Sequence, residues 1–230
     1  MSVVWLRGAL RYSLSALIAC AFCGLLACEA ERPEAGVPAP AAAAEDERPV
    51  VLFLGTSLTA GYGLPSDEAF PALIGERLAR EGLDYRIVNA GVSGDTSAGG
   101  RRRLDWLLRM PLAVLVLELG ANDMLRGLDV GALRDNLSAI LSRTRGAYPE
   151  VRFVVAGMRA APNLGADYAR RFEAVYPELA QQFDAAFIPF LLAGVAGDPD
   201  SNLPDGLHPT AEGHRRVADT LWTELGPLLR

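Results

Sequence analysis

The stretch Val50-Val51-Leu52-Phe53-Leu54 is an uninterrupted apolar run that leads directly into Gly55-Thr56-Ser57-Leu58. Consecutive apolar residues of this length predict a strand that is buried on both faces, as the central strands of parallel sheets are. A second run, Ala113-Val114-Leu115-Val116-Leu117, has the same character. We therefore expect both runs at the centre of one parallel sheet.

The sequence around these runs alternates between strand and helix patterns. Such alternation, with short apolar strands, predicts a mostly parallel α/β sheet that is covered by helices on both faces. We expect this domain to occupy residues 50–230. The predicted strands are 50–54, 85–89, 113–118, 152–157 and 186–190, and the predicted helices are 70–80, 98–108, 130–145, 168–182 and 211–229.

Residues 1–27 have the character of a secretory signal. Arg7 and Arg11 precede an uncharged apolar run that is shorter than the roughly 20 residues of a membrane span. The run ends in Leu25-Leu26-Ala27-Cys28, which resembles a bacterial lipobox, so we expect Cys28 to become the lipidated first residue of the mature protein. Leu17-Ile18-Ala19-Cys20 has the same form, and an ordinary cleaved signal with a chance cysteine also stays open.

Residues 28–49 are rich in proline and alanine and predict a flexible tether between the signal and the domain. Together these segments predict an exported bacterial protein on the periplasmic side, held to a membrane by a lipid anchor. All three cysteines, Cys20, Cys23 and Cys28, precede the domain. The mature domain therefore has no cysteine pair for a disulfide.

The composition argues against several classes of partner and cofactor. The chain has 230 residues and a formal net charge of -6, which disfavours nucleic acid as a partner. It contains no lysine, which excludes a P-loop lysine and a lysine Schiff base. With only two histidines and no cysteine in the domain, a zinc site is disfavoured. We expect neither a metal nor a cofactor.

Four short segments follow the ends of predicted strands and carry reactive side chains. In open α/β sheets the ligand crevice lies outside the carboxyl ends of the strands, so we expect the four segments to meet there. Together they supply a hydroxyl nucleophile, donors for an oxyanion, and an acid with an imidazole base, which are the components of a serine hydrolase. The segments are Gly55-Thr56-Ser57-Leu58, Ser93-Gly94-Asp95, Gly120-Ala121-Asn122-Asp123 and Asp205-Gly206-Leu207-His208.

Ser57 is the candidate nucleophile, because it lies in a glycine-rich turn that can keep its hydroxyl exposed. His208 is the candidate base, and Asp205, three residues earlier, can fix its tautomer. The only other histidine, His214, lies in the last predicted helix beside two arginines. We expect His214 to be a surface residue.

The oxyanion of a tetrahedral intermediate needs hydrogen-bond donors that are in place before the charge develops. Candidates are the backbone N–H groups of Ser57 and Gly94 and the side-chain amide of Asn122. Taken singly, Gly94 is an ordinary turn glycine and Asn122 an ordinary loop asparagine. Only the set of four segments indicates this chemistry.

The four segments resemble the sequence blocks of the SGNH (GDSL-type) hydrolases, in which Ser57, Gly94, Asn122 and His208 match the four residues that name the family. This resemblance extends from about Val50 to the final helix. It implies a flavodoxin-like three-layer α/β/α sandwich with a five-stranded sheet, and a serine esterase that works through an acyl-enzyme. Residues 89–97, 117–123 and 125–127 are similar to stretches of the bacterial periplasmic arylesterase, acyl-CoA thioesterase and lysophospholipase branch.

The chain departs from the family at Thr56, where Asp is usual. We expect this change to affect the rigidity of the loop and the rate, and to leave the nucleophile in place. Residues 158–165 resemble the family's substrate-lining segment. Met158 and Pro162 are therefore candidates for contact with the acyl group of a substrate.

Several other sites fit the sequence poorly. Residues 55–59 lack the second glycine of the α/β-hydrolase elbow, and the glycine spacing matches neither the P-loop nor the dinucleotide motif. A glycosidase with paired carboxylates would leave Ser57, Asn122 and His208 unexplained. Two alternatives stay open: a carbohydrate O-acetylesterase with the same triad, and a membrane-tethered binding module without turnover.

Overall fold

The structure is a computed structural model that describes residues 46–230. The predicted signal, the predicted lipidation site at Cys28 and most of the predicted tether lie outside the described residues. Among residues 46–230, no helix is long and apolar enough to cross a membrane.

Strands and helices alternate along the described part of the chain. The strands are β1 (Val50–Gly55), β2 (Arg86–Gly91), β3 (Leu112–Glu118), β4 (Arg152–Ala156) and β5 (Ala186–Ile188). The helices are α1 (Ser57–Ala60), α2 (Phe70–Glu81), α3 (Ser97–Leu107), α4 (Ala121–Leu125), α5 (Val130–Ala147), α6 (Ala166–Phe183) and α7 (Ala211–Leu228), with a short 3-10 helix at Pro162–Leu164.

The five strands form one sheet in the order β2-β1-β3-β4-β5, and every neighbouring pair is parallel. This is the strand order of flavodoxin-like doubly wound folds. Helix α2 packs against α7, while α5 packs against both α3 and α6. The predicted α/β fold with a parallel sheet is confirmed.

Strands β1 and β3 lie in the centre of the sheet, as their apolar runs predict. Every residue of β1 is buried, and β3 is buried except at Ala113, which is partly exposed. Burial of each such Val, Leu or Phe side chain stabilises the fold by about 1.5–3 kcal/mol. This rigid centre holds the loops that leave its carboxyl edge.

The observed elements differ from the predicted ones in three ways: two short helices were not predicted, β2 is longer and β5 is shorter. Helices α1 and α4 span only four and five residues, too short for a helical period to show in the sequence. Strand β2 continues to Gly91, which pairs with Gly55 of β1. Strand β5 ends at Ile188, because Pro189 has no N–H to continue the ladder.

The prediction that His214 is a surface residue is wrong. The residue is only 1% exposed, its Nδ1 accepts a hydrogen bond from Phe70 N at 3.1 Å, and its ring stacks on that of Phe70. Burial, together with the nearby His208, lowers the pKa of His214 to about 4. Arg215 and Arg216 are exposed, but successive residues of a helix point in different directions. Two charged neighbours therefore do not indicate that His214 is exposed.

The buried neutral imidazole of His214 lets us predict how the stability of the fold depends on pH. Because its pKa in the folded chain, about 4, lies below the ordinary 6.5, the unfolded chain binds a proton here first as the pH falls. Stability is therefore lost as the pH drops below about 6.5. In His214→Asn, Oδ1 can still accept from Phe70 N but does not titrate. Between pH 7.5 and 5 we expect the wild-type free energy of unfolding to fall by about 2 kcal/mol more than that of the variant.

Urea denaturation at each pH measures this difference, and the carboxylates common to both proteins cancel in the comparison. Parallel pH dependences for the wild type and His214→Asn would contradict the burial of a neutral histidine.

Candidate active site

Ser57 is the first residue of α1 and follows the carboxyl end of β1. Thr56 caps this helix, since its Oγ1 accepts a hydrogen bond from Leu58 N at 3.4 Å. The N and Oγ1 of Thr56 also donate to the buried carboxylate of Glu118 at the end of β3. These contacts fix the turn, and Ser57 is left half-buried at the wall of a cavity.

His208 and Asp205 lie in a folded loop between β5 and α7. An antiparallel bridge between Asn202 and Pro209 closes the loop. Within it, Oδ1 of Asp205 accepts hydrogen bonds from the backbone N of Leu207 at 2.9 Å and of His208 at 3.0 Å. The short spacing of the two residues thus forms a tight turn that holds the carboxylate beside the imidazole.

The structure brings Ser57, His208 and Asp205 into one chain of hydrogen bonds. His208 Nε2 lies 2.9 Å from Ser57 Oγ, and His208 Nδ1 lies 2.7 Å from Asp205 Oδ2. The backbone N–H and ring of His208, followed by Leu207 N–H, lower the pKa of Asp205 to about 2. An ionised carboxylate requires Nδ1 to donate, which leaves Nε2 of a neutral ring to accept the serine proton.

Tyr62 covers one face of the imidazole and was not singled out by the sequence. Its ring centroid lies 4.4 Å from that of His208 at an interplanar angle of 36°. Tyr62 is 51% exposed and lines the same cavity as Ser57. An aromatic residue in a loop carries no sequence signal for this role, because its contact with His208 spans more than 140 residues of chain.

The three predicted oxyanion donors also meet at the cavity wall. Ser57, Gly94 and Asn122 all line it. Gly94 has a φ of 79°, a left-handed conformation that glycine adopts without strain. Asn122 Nδ2 donates one hydrogen to Asp95 O at 2.9 Å, which leaves its second amide hydrogen for a ligand.

Arg103 joins the segments that carry these donors. From α3, its guanidinium donates to Gly55 O at 3.0 Å, to Ala90 O at 2.6 Å and to Asp95 Oδ2 at 2.8 Å. These oxygens belong to the ends of β1 and β2 and to the Gly94 loop. Sequence reasoning missed Arg103, since nothing in a run of three arginines tells which one points inward.

Two further contacts hold the Gly94 and Asn122 loops together. Buried Asp123 accepts hydrogen bonds from Ser97 N at 2.8 Å and from Ser97 Oγ at 2.6 Å. Arg126 Nη2 donates to Gly94 O at 2.8 Å. The donors of the candidate oxyanion hole are thus preorganised by side chains that do not themselves need to touch a substrate.

The cavity beside Ser57 has a volume of about 590 Å³. Met158 is 4% exposed and forms part of its wall, and Ala160 and Ala161 follow it there. Pro162 is exposed at the start of the 3-10 helix and lies outside this wall. Most of the remaining wall is apolar, formed by Leu58, Met124, Leu125, Phe190, Leu192, Ala196 and Leu207.

Comparison with known proteins places this chain in a family. The model of the GDSL-like Lipase/Acylhydrolase family matches residues 53–216. Esterase TesA of Pseudomonas aeruginosa is 41% identical over 180 residues, which cover 78% of this chain and 89% of that protein. Thioesterase 1/protease 1/lysophospholipase L1 of Escherichia coli K12 is 37% identical over 181 residues, covering 78% of this chain and 84% of that protein.

The likeness extends to three dimensions. The crystal structure of TesA matches with a TM-score of 0.75 and 40% sequence identity, and the match covers 78% of this chain and 99% of that one. The family match over residues 53–216 contains all four segments predicted from the sequence. The predicted resemblance is therefore confirmed, and the chain belongs to the GDSL-like lipase/acylhydrolase family.

Proposed function

We propose that this chain is a serine esterase that hydrolyses acyl esters through an acyl-enzyme on Ser57. The observation that carries the proposal is the hydrogen-bonded chain from Ser57 Oγ through His208 to Asp205, at the wall of an apolar cavity. Relatives described as an esterase and as a thioesterase and lysophospholipase support the same reaction class.

In the first half of the reaction, Ser57 Oγ attacks the carbonyl carbon of the ester while its proton passes to His208 Nε2. The carbonyl oxygen becomes an oxyanion, which accepts hydrogen bonds from Ser57 N, from Gly94 N and from the free amide hydrogen of Asn122. Collapse of this intermediate breaks the bond to the leaving group, which takes the proton from His208. The acyl group then remains on Ser57.

In the second half, water takes the place of the leaving group. His208 Nε2 accepts a proton from the water as its oxygen attacks the acyl carbon, and the same three donors hold the new oxyanion. Collapse returns the proton to Ser57 Oγ and releases a carboxylic acid. Throughout, Asp205 stays ionised and stabilises the imidazolium that forms in each step.

The cavity supports an acyl chain as the group that it binds. Its volume lies within the range of about 300–1,000 Å³ that small-molecule sites occupy, and its wall is mainly apolar. Met158 lies in this wall, which supports its predicted contact with the acyl chain, whereas Pro162 does not line the cavity and its predicted role lacks this support. Thioesters belong to the same proposal, because a thiol leaving group needs no additional catalytic residue.

We also propose that the protein is exported to the periplasmic side and anchored through a lipid on Cys28. The support is in the sequence, where a charged start and a short apolar run precede Leu25-Leu26-Ala27-Cys28. A tether of about 20 residues, spanning 29–49, would then separate the lipid from β1.

Removal of the nucleophile tests the reaction. In Ser57→Ala, kcat for a p-nitrophenyl acyl ester should fall by at least about 10⁴-fold, because no other hydroxyl contacts His208 Nε2 within residues 46–230. Ser142→Ala, a change of the same kind on the exposed face of α5, should keep the wild-type rate. Retained turnover in a folded Ser57→Ala protein would contradict the assignment.

The pH dependence tests the base. His208 must be neutral to accept the proton of Ser57, so kcat/KM should decrease as the pH falls from about 8 to 5. The pKa of Asp205, about 2, keeps that carboxylate ionised throughout this range, so Asp205 does not cause the decrease. The rate is followed at a wavelength where product absorbance is independent of pH. A flat profile would argue against a histidine base.

The chemical state of the mature N-terminus tests the proposed lipid anchor. We expect mass spectrometry of the membrane fraction to find Cys28 as a lipidated first residue, and Cys28→Ser to move the protein into the soluble fraction. Cys20→Ser should leave both results unchanged, because the lipobox that ends at Cys20 would follow a very short apolar run. Lipid on Cys20, or an unmodified N-terminus, would refute this site.

A further inference from the structure

Glu118 is a buried acidic residue that the mechanism above does not use. It ends β3, is 1% exposed, and lies beside the turn that carries Ser57. A buried carboxyl group is costly unless several donors satisfy it. The groups that donate hydrogen bonds to Glu118 therefore indicate which part of the structure this residue stabilises.

All the donors come from the two threonines that flank Ser57 and Leu58. Oε2 of Glu118 accepts from Thr56 N at 2.8 Å, from Thr59 Oγ1 at 2.7 Å and from Thr59 N at 3.2 Å. Oε1 accepts from Thr56 Oγ1 at 2.9 Å. The carboxylate thus binds the first turn of α1 on both sides of the nucleophile.

This contact requires a glycine at the end of β1. A Cβ at position 55 would collide with Thr59 Oγ1 and would lie 2.6 Å from Glu118 Oε2. Gly55 pairs with Glu118 in the register of β1 and β3, so the two strands bring the carboxylate directly under the turn. The pairing of the two central strands therefore produces the close approach of Glu118 to the turn.

The same contacts determine which backbone N–H groups of the turn are hydrogen-bonded and which one is free. Thr56 N and Thr59 N donate to Glu118, and Leu58 N donates to Thr56 Oγ1. Among residues 46–230, Ser57 N has no such partner. Within this turn, the N–H that the proposed oxyanion hole uses is left free, while the N–H groups around it are held by hydrogen bonds.

We propose that Glu118 is a positioning residue for Ser57: it fixes the first turn of α1 so that Oγ faces His208 and the backbone N–H faces the oxyanion. This role rests on the proposed serine esterase mechanism. Glu118 does not line the cavity, so it acts through Thr56 and Thr59 and touches no substrate.

Thr56 fits this role where the family usually has Asp. Its hydroxyl donates to Glu118, whereas an aspartate would set a second carboxylate against the first. Burial raises the pKa of Glu118, and the hydrogen bonds from Thr56 and Thr59 oppose that rise. Two carboxylates in one buried site cannot both ionise and would share a proton. Thr56 removes this requirement.

Removing the carboxylate should lower kcat and leave KM nearly unchanged. Displacement of a reacting group by about 1 Å costs about 100-fold, so we expect Glu118→Leu to lose about that factor in kcat. Glu118→Gln should stay within about threefold of the wild type. Its carbonyl oxygen can replace Oε2, and its amide can donate to Thr56 Oγ1, which then accepts. Unchanged kcat in Glu118→Leu overturns the role.

A second pair of variants decides the question if Glu118→Leu does not fold. Thr59→Val removes the hydroxyl that donates to Glu118, and Thr144→Val removes an equally buried hydroxyl that donates to Ile140 O in α5. We expect kcat to fall at least tenfold in Thr59→Val and to stay at the wild-type value in Thr144→Val. Equal rates in these two variants overturn the role.

The charge of Glu118 has its own readout. In Thr56→Asp, kcat near pH 7 should stay within a few-fold of the wild type and then decrease at alkaline pH, as the shared proton is lost. Thr56→Asp/Glu118→Gln, with one carboxylate, should lack this alkaline decrease. Identical alkaline profiles for the two variants overturn the role. Wild-type turnover tests the esterase proposal itself, whereas variant-to-wild-type ratios test Glu118 alone.

Discussion

Strand β1 pairs with β2 on one side and with β3 on the other, and its register sets Gly55 beside Glu118. Because all five strands run in one direction, the segments that follow them leave the sheet at the same edge. Ser57 follows β1, Gly94 follows β2 and Asn122 follows β3. The proposed nucleophile and two of its proposed oxyanion donors are therefore brought together by the sheet itself, before any side chain contributes.

The proposed acid and base, Asp205 and His208, are positioned at this edge in a different way. Asp205 and His208 form a local turn whose geometry does not depend on the sheet, so something must fix where that turn lies. Helix α7 begins three residues after His208, and its buried His214 accepts a hydrogen bond from Phe70 N at the start of α2. His214, which the sequence analysis placed on the surface, thus connects the helix that follows the Asp205–His208 loop to α2.

The sequence was most informative about features that depend on residues close together in the chain. Apolar runs predict buried strands, and the close spacing of Asp205 and His208 predicts their pairing. It was least informative where a role depends on a partner far along the chain. Glu118 contacts Thr56 across 62 residues, and Arg103 contacts Gly55 across 48. One signal was present, since Glu118 is a charged residue at the end of an otherwise apolar strand, where burial requires dedicated donors.

Two carboxylates are linked to Ser57 through other residues, Asp205 by way of His208 and Glu118 by way of Thr56 and Thr59. Their surroundings suit them to different roles. Asp205 is partly exposed and hydrogen-bonded to an imidazole, so its charge can stabilise the imidazolium that forms in the proposed reaction. Glu118 has no basic partner among its hydrogen bonds and is enclosed by backbone and hydroxyl donors, so its hydrogen bonds can only hold the turn in place. Preorganised donors lower a barrier because they need not reorient as charge develops. A carboxylate that fixes the backbone of the nucleophile therefore serves the transition state without taking part in proton transfer.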